Sequence, residues 1–182
     1  KSIDGGETFE RITATLSQES SMVFSSSSIA IDPKDPNTLY LAPRVVSQSP
    51  QSYAVYKSTD SGISWKEIYK SDGSLMGGIS VTTDYYHTIY LSEHQMIKRS
   101  RDNGASWSIV FNMGNLEPHI WSWRMSPSPV LFNPRNNVSY FLVRTWRIYP
   151  RSNLSGIYES KNFGDSWEKS YEVAKFGNDA IF

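Results

Sequence analysis

Aromatic and arginine side chains cluster in two stretches of the second half of the chain. They are Trp121, Trp123 and Arg124 in the first stretch, and Arg144, Trp146, Arg147 and Tyr149 in the second. Aromatic faces stack on sugar rings, and the guanidinium fork binds carboxylates or backbone carbonyls. If the fold brings the two stretches together, they form one ligand-binding surface. The alternative is that the tryptophans are core residues at strand ends and the arginines solvate a rim.

Residues that could carry catalysis form no recognisable constellation. A glycoside hydrolase needs two carboxyl groups at one cleft, and nothing in the sequence around Glu93 or Glu117 marks an acid or a nucleophile. His87, His94 and His119 lack metal-ligand spacing, and the chain has no cysteine. We therefore predict no metal site and no cofactor, and we assign no catalytic residue.

An eight-residue pattern occurs four times and marks the elements that must position these side chains. Its key positions are Ser2, Asp4, Gly6, Thr8 and Phe9; Ser58, Asp60, Gly62, Ser64 and Trp65; Ser100, Asp102, Gly104, Ser106 and Trp107; and Ser160, Asn162, Gly164, Ser166 and Trp167. The Asp or Asn side chain is expected to accept a hydrogen bond from the backbone N–H two residues on. Gly is expected to supply a positive φ, and the aromatic residue to pack in the core. The pattern therefore predicts structural turns rather than catalytic carboxylates.

This pattern resembles the Asp-box, or bacterial neuraminidase, repeat, Ser-x-Asp-x-Gly-x-Thr-Trp. In that family the motif lies between the third and fourth strands of β-propeller blades. It occurs in sialidases, in xyloglucanases and related polysaccharide hydrolases, and in sortilin-type receptors. Phe9 replaces Trp in the first copy, and Asn162 replaces Asp in the fourth. The resemblance implies an all-β propeller segment of four-stranded antiparallel blades.

A second repeated element sets the length of a blade. Residues 28–41, 78–91 and 129–141 read as strand, turn and strand, and they recur about every 50 residues, which suits one four-stranded blade. We predict a partial blade at 1–22, blades at about 23–68, 76–111 and 123–171, and a partial blade at 176–182. Because a propeller needs roughly four to eight blades to close, we expect this segment to pair with further blades of a longer chain or with copies of itself.

Composition excludes some classes of partner. The 18 basic and 18 acidic residues give a formal net charge of zero, so nothing indicates nucleic acid or an anionic membrane surface as a partner. No apolar stretch approaches the ~20 residues that span a bilayer, so we predict no membrane span in this segment. The family resemblance implies an extracellular, cell-surface or periplasmic location.

Two functions remain open. The first is a module that binds or acts on polysaccharide within a larger glycoside-hydrolase-like protein, because residues 28–37 and 53–65 resemble a xyloglucanase-type blade. The second is a sortilin-type propeller that binds protein or peptide, or an assembly factor, without enzymatic activity. The absence of a visible active site favours the second, and the Trp, Arg and Tyr stretches favour the first. No stretch matches the Phe/Tyr-Arg-Ile-Pro motif of sialidases, so that activity is not supported.

Overall fold

The computed structural model describes residues 1–9, 22–23, 29–45, 52–71, 76–116, 125–145 and 154–172. The first sheet contains β1 (Met22–Val23), β2 (Ile29–Ile31), β3 (Leu39–Leu41), β4 (Arg44–Val45), β5 (Ser52–Ser58) and β6 (Lys66–Lys70). The second contains β7 (Met76–Val81), β8 (Ile89–Glu93), β9 (Met96–Ser100) and β10 (Ser108–Asn112). After the short helix α1 (Met113–Leu116), the third contains β11 (Met125–Pro127), β12 (Leu131–Asn133), β13 (Val138–Thr145), β14 (Gly156–Ser160) and β15 (Glu168–Glu172). None of the described residues forms a helix with the length and apolarity that a membrane crossing requires.

Each sheet is an antiparallel ladder that is four strands wide, and its strands follow one another in chain order. The second sheet runs β7-β8-β9-β10. In the first sheet β1 and β2 together make the first strand, and β4 and β3 pair with them as the second. In the third sheet β11 and β12 share the first-strand position beside β13. The three sheets, named blades 1, 2 and 3, confirm the predicted all-β fold of four-stranded antiparallel blades.

The two ends of the blades differ in their connections. The second, third and fourth repeated turns join third to fourth strands, and the turns between first and second strands lie at the same end. In blade 1 the Ser61 backbone N–H donates to the Asn37 carbonyl at 2.9 Å, which ties the two kinds of turn together. We call this the turn end, and the opposite end, which carries the β8–β9 connection, the loop end.

The apolar core lies between blades rather than within them. Successive residues of a strand point to opposite faces, and every residue of β8 is buried. Ile89 and Leu91 pack toward blade 1 in a cluster with Val55. Tyr90, between them in sequence, packs toward blade 3 in a cluster with Phe141. The middle blade therefore contributes side chains to two separate cores.

The aromatic residues of the third and fourth repeated turns complete these cores. Trp107 lies against Tyr69 of blade 1, with ring centroids 5.4 Å apart. Trp167 lies edge-on to Tyr90 of blade 2, at 6.2 Å. The expectation of core packing is wrong for Phe9, whose side chain is 77% exposed. No strand flanks the first turn within residues 1–9, so that ring has no sheet to pack on there.

Candidate functional site

The Ser and Asp or Asn side chains at the key positions of the repeated turns form hydrogen bonds within their own turn. At the second turn the Ser58 hydroxyl oxygen accepts from the backbone N–H groups of Asp60 at 3.3 Å and Gly62 at 2.8 Å. The Asp60 carboxylate accepts from the Ser64 backbone N–H at 2.9 Å and from the Ser64 hydroxyl at 2.5 Å. Thus the Ser oxygen, not the Asp side chain, bonds the N–H two residues on, and that part of the sequence prediction is wrong. The carboxylate instead reaches the N–H four residues on.

An amide serves as well as a carboxylate in this turn. In the fourth copy Asn162 Oδ1 accepts from the Ser166 backbone N–H at 3.0 Å, and Asn162 Nδ2 donates to the Ser166 hydroxyl oxygen at 2.9 Å. Hydrogen bonds from the Ser64 and Ser106 hydroxyls lower the pKa values of Asp60 and Asp102 to about 2. The carboxylate oxygens of Asp60 and Asp102 therefore stabilise their turns and already accept hydrogen bonds from groups of the same turn. Within the described part of the chain, no three His, Asp or Glu side chains are grouped as metal ligands.

The glycines of the repeated turns are required by backbone conformation and by close contact. Gly104 and Gly164 have φ values of +90° and +82°. A Cβ on Gly164 would lie 2.6 Å from the Tyr90 hydroxyl oxygen of blade 2, and a Cβ on Gly104 would collide with the Ile68 side chain of blade 1. The third and fourth turns therefore pack their glycines against the preceding blade.

A fully buried carboxylate lies at the loop end of the junction between blades 1 and 2. Glu93 Oε2 lies 2.6 Å from Lys98 Nζ and accepts from the Tyr69 hydroxyl at 2.8 Å, while the Ser71 hydroxyl donates to Oε1. Burial opposes the charge on Lys98, but hydrogen bonds to Glu93 and Tyr69 hold the pKa of Lys98 above its ordinary value. Glu93 was a possible catalytic carboxylate by sequence. Its burial and internal bonds make it a link between two blades instead.

A second polar link joins blades 1 and 2 at the turn end. His87 Nδ1 lies 3.3 Å from the carboxylate of the buried Asp32. Lys34 Nζ donates to the Asp84 carbonyl at 3.2 Å. Asp32 and Asp84 each accept from the backbone N–H two residues on, so the short-range capping expected of the repeated turns occurs here instead.

Two arginines join blades 2 and 3 at the turn end. Arg99 donates to the Phe163 carbonyl at 2.8 Å and to the Asp165 carboxylate at 2.7 Å. Arg101 donates to the same carbonyl at 3.0 Å, and its guanidinium lies 4.8 Å from the centroid of the Tyr86 ring. The hydrogen bond from Arg99 holds the pKa of Asp165 below its ordinary value. A shallow cleft beside these groups is lined by Arg99, Arg101, Asp102, Ser106, Trp107 and Ser108.

Six of the seven predicted ligand-binding residues belong to the stretches at positions 117–124 and 146–153. Trp121, Trp123, Arg124, Trp146, Arg147 and Tyr149 lie outside the described residues. The backbone of Arg144 lies in β13, opposite Ser126 of β11. The pairing of Met125 with Thr145 brings together the strand ends from which the two stretches depart.

Comparison with known proteins gives the same fold. No protein-family model matches the chain. Xyloglucanase Xgh74A of Acetivibrio thermocellus is 24% identical over 160 residues, which cover 78% of this chain and 19% of the xyloglucanase. The chain therefore spans about a fifth of the length of this curated relative.

Several solved structures are also similar in fold to this chain. The GH74 xyloglucanase of Xanthomonas campestris matches with a TM-score of 0.59 and 22% identity, over 83% of this chain and 24% of that one. The Niastella koreensis GH74 enzyme matches with a TM-score of 0.57 and 19% identity, over 79% of this chain and 22% of that one. A chain of a nidogen–laminin complex matches with a TM-score of 0.51 and 16% identity, over 80% of this chain and 48% of that one. The chain thus has the blade architecture of β-propeller proteins that include GH74 enzymes.

Proposed function

We propose that this chain is a propeller module of a larger xyloglucanase-like protein, and that it binds polysaccharide at the loop end of blade 3. The observation that carries the proposal is the pairing of Met125 with Thr145. It places the departure points of two Trp- and Arg-rich stretches on adjacent strands. The sequence similarity to a xyloglucanase supports the choice of a glycan as ligand.

The proposed ligand-binding residues are those of the sequence analysis. They are Trp121, Trp123, Arg124, Arg144, Trp146, Arg147 and Tyr149. The indole and phenol rings stack on pyranose rings, and the arginines donate to hydroxyl or carboxylate oxygens.

We propose binding rather than hydrolysis for this segment. Retaining and inverting glycosidases both place two carboxyl groups on either side of the scissile bond. Within the described residues, Glu93 is sealed inside a blade junction and Asp60 and Asp102 are held in turns. On this proposal, any catalytic pair would come from carboxyl groups outside the described residues or from other parts of a longer protein.

Two further proposals follow from the resemblance. The four repeated turns belong to the Asp-box class, since they share one hydrogen-bond pattern and three of them join third to fourth strands. The location is extracellular, on the cell surface or in the periplasm, where polysaccharide substrates occur.

The test is calorimetric titration of the chain with xyloglucan oligosaccharides at low and high salt. For a neutral glycan, Trp146→Ala should weaken binding more than Arg147→Ala, and salt should change little. For an acidic ligand, Arg147→Ala should do more damage, and the difference should shrink at high salt because the charge is screened. Release of reducing ends during the titration would show hydrolysis and would contradict the assignment of binding alone.

The second candidate is a protein- or peptide-binding propeller of sortilin type, or an assembly factor. The lack of a carboxylate pair facing a cleft among the described residues favours it. A chain of a nidogen–laminin complex shares the fold. If the chain bound no polysaccharide but bound an acidic peptide through Arg147, this candidate would replace the first.

A further inference from the structure

A surface of three aromatic rings lies at the turn end, between blades 2 and 3. Tyr85 and Tyr86 occupy the turn between β7 and β8, and Phe163 occupies the fourth repeated turn. Tyr85 is 85% exposed and Tyr86 is 47% exposed. Ring centroids lie 5.3 Å apart for Tyr85 and Tyr86, and 6.4 Å apart for Tyr86 and Phe163. We call these three residues the aromatic surface.

The conformation of the turn does not explain an aromatic residue at position 163. Phe163 has a φ of +56°, a conformation that is unfavourable for a bulky side chain. The same position in the other three turns holds Gly5, Ser61 and Asn103. Those residues form the same turn, so the turn itself does not need a phenyl ring.

Neighbouring arginines hold two of the three residues of the aromatic surface, Tyr86 and Phe163, in place. Arg99 and Arg101 both donate to the Phe163 carbonyl, at 2.8 Å and 3.0 Å. The Arg101 guanidinium also lies 4.8 Å from the centre of the Tyr86 ring. Rings that are fixed before binding lose little entropy when a ligand stacks on them.

The charge of this region favours a neutral ligand. Asp165 lies 2.7 Å from Arg99 and 3.4 Å from Arg101, so the guanidinium groups already face a carboxylate. The exposed groups are the Tyr85 and Tyr86 rings with their hydroxyls and the Asp165 carboxylate, whose side chain is 53% exposed, while the Phe163 ring is partly exposed. Phenol rings stack on the apolar faces of pyranose rings and hydrogen bond to their hydroxyls. Arg99 and Arg101 share the Asp165 carboxylate and both donate to the Phe163 carbonyl, and their side chains are only 13% and 29% exposed, so neither guanidinium projects alone toward an anionic ligand.

We propose that the aromatic surface is a second contact site for a neutral polysaccharide chain, at the end of the blades opposite the loop-end site. The inference rests on the proposed function, because the glycan class comes from there. Tyr85 and Tyr86 provide stacking rings, and Phe163 supports Tyr86 from the next blade. A polysaccharide is long enough to engage two ends of a module, whereas a short oligosaccharide occupies one.

The test uses affinity electrophoresis of the 182-residue chain in gels containing xyloglucan. Tyr85→Ala should lower the affinity roughly fivefold, the scale of one lost stacking ring, with little dependence on salt. Phe163→Asn places in this turn the residue that the third turn has at the same position, so it should weaken binding without lowering the thermal midpoint. Phe9→Ala is the matched control, because Phe9 is an aromatic residue that is 77% exposed on the first repeated turn and is not part of the aromatic surface. It should leave binding unchanged.

Combining variants separates this proposal from the proposed function. Trp146→Ala should retain weaker binding that Tyr85→Ala then removes. If Trp146→Ala abolished all binding and Tyr85→Ala had no effect, the aromatic surface would be excluded while the proposed function stood. If Phe9→Ala reduced binding as much as Tyr85→Ala, the effect would be non-specific and the surface would again be excluded. An unmodified chain that bound no polysaccharide would overturn both proposals, and binding of a proline-rich peptide at Tyr85 instead would replace the glycan by a protein ligand.

Discussion

The ammonium nitrogen of Lys98 lies 2.6 Å from Oε2 of Glu93, whose side chain is completely buried. The Tyr69 and Ser71 hydroxyls of blade 1 complete the donors to this carboxylate. A buried ion pair costs desolvation energy that its hydrogen bonds must offset, so its most visible effect appears when one partner is removed. The stability of the junction between blades 1 and 2 therefore depends on both Lys98 and Glu93.

We predict that Lys98→Met lowers the free energy of unfolding by about 3 kcal/mol, because it leaves a buried carboxylate without its cation. Adding Glu93→Gln should recover much of the loss, since the amide oxygen can still accept from Tyr69. Urea unfolding of the single and double variants measures this coupling. The control is Lys161→Met, at a lysine whose side chain is 66% exposed. Equal losses in the two single Met variants would contradict a buried link.

A glycine substitution tests the contact between blades 2 and 3. Gly164→Ala should destabilise the protein by about 2–4 kcal/mol, because it adds both overpacking and a strained backbone. Tyr90→Phe removes the oxygen that the new methyl group would meet at 2.6 Å, so it should relieve part of the loss. Thermal or urea unfolding of the two singles and the double gives the coupling energy. Additive effects would mean that the close approach has no energetic role.

The Asp turns should respond to acid in a way that the Asn turn does not. Hydrogen bonds in the fold lower the pKa of Asp60 to about 2 from an ordinary value of 3.8. The stability that this carboxylate contributes is therefore complete above about pH 4 and is lost as the pH falls through about 2. Asp60→Asn, which copies Asn162, should flatten this part of the profile of thermal midpoint against pH. Asn162→Asp should steepen it, and the opposite trend in either variant would contradict the assignment.

The repeated turns should stabilise the fold without contacting ligand at the loop end. Asp60→Ala should lower the thermal midpoint by about 2–4 °C, the usual effect of losing a few turn hydrogen bonds in a domain of this size. Binding of xyloglucan oligosaccharides should be unchanged at a temperature where the variant is folded. If binding were lost while the midpoint stayed constant, the carboxylate would have a functional role.

An apolar edge of blade 1 should drive association. Ile29 in β2 is 53% exposed, whereas Ile79 and Val130, at the same position of blades 2 and 3, are 3% and 1% exposed; Ile31, two residues on in β2, is 57% exposed. Ile79 and Val130 are covered by a preceding blade. We predict that the chain self-associates when expressed alone and that Ile31→Glu weakens the association, measured by sedimentation velocity. A compact monomer at all concentrations would contradict the need for neighbouring blades.

The local features of the fold can be predicted from the sequence, whereas most contacts between blades cannot. Gly62 and Ser58 define their turn within eight residues, so that turn was predictable from the pattern. The link from Tyr69 to Glu93 joins residues 24 positions apart. It depends on the angle at which two sheets pack, which no local pattern encodes. The positive φ of Phe163 is predictable from the repeat, but its approach to Tyr86 depends on the same packing.

Because β8 sends Ile89 and Leu91 to one core and Tyr90 to another, the sequence repeat and the packed unit are out of phase by half a blade. A graft or deletion whose ends lie between sheets would keep every sheet whole but would divide the core that two adjacent blades share. One that runs from the middle of a sheet to the middle of the next would keep a core whole but would break backbone ladders. Neither way of cutting the chain yields a segment with both a complete core and complete sheets. Exchange of a single blade between such proteins therefore requires exchange of the side chains that face it in both neighbouring blades.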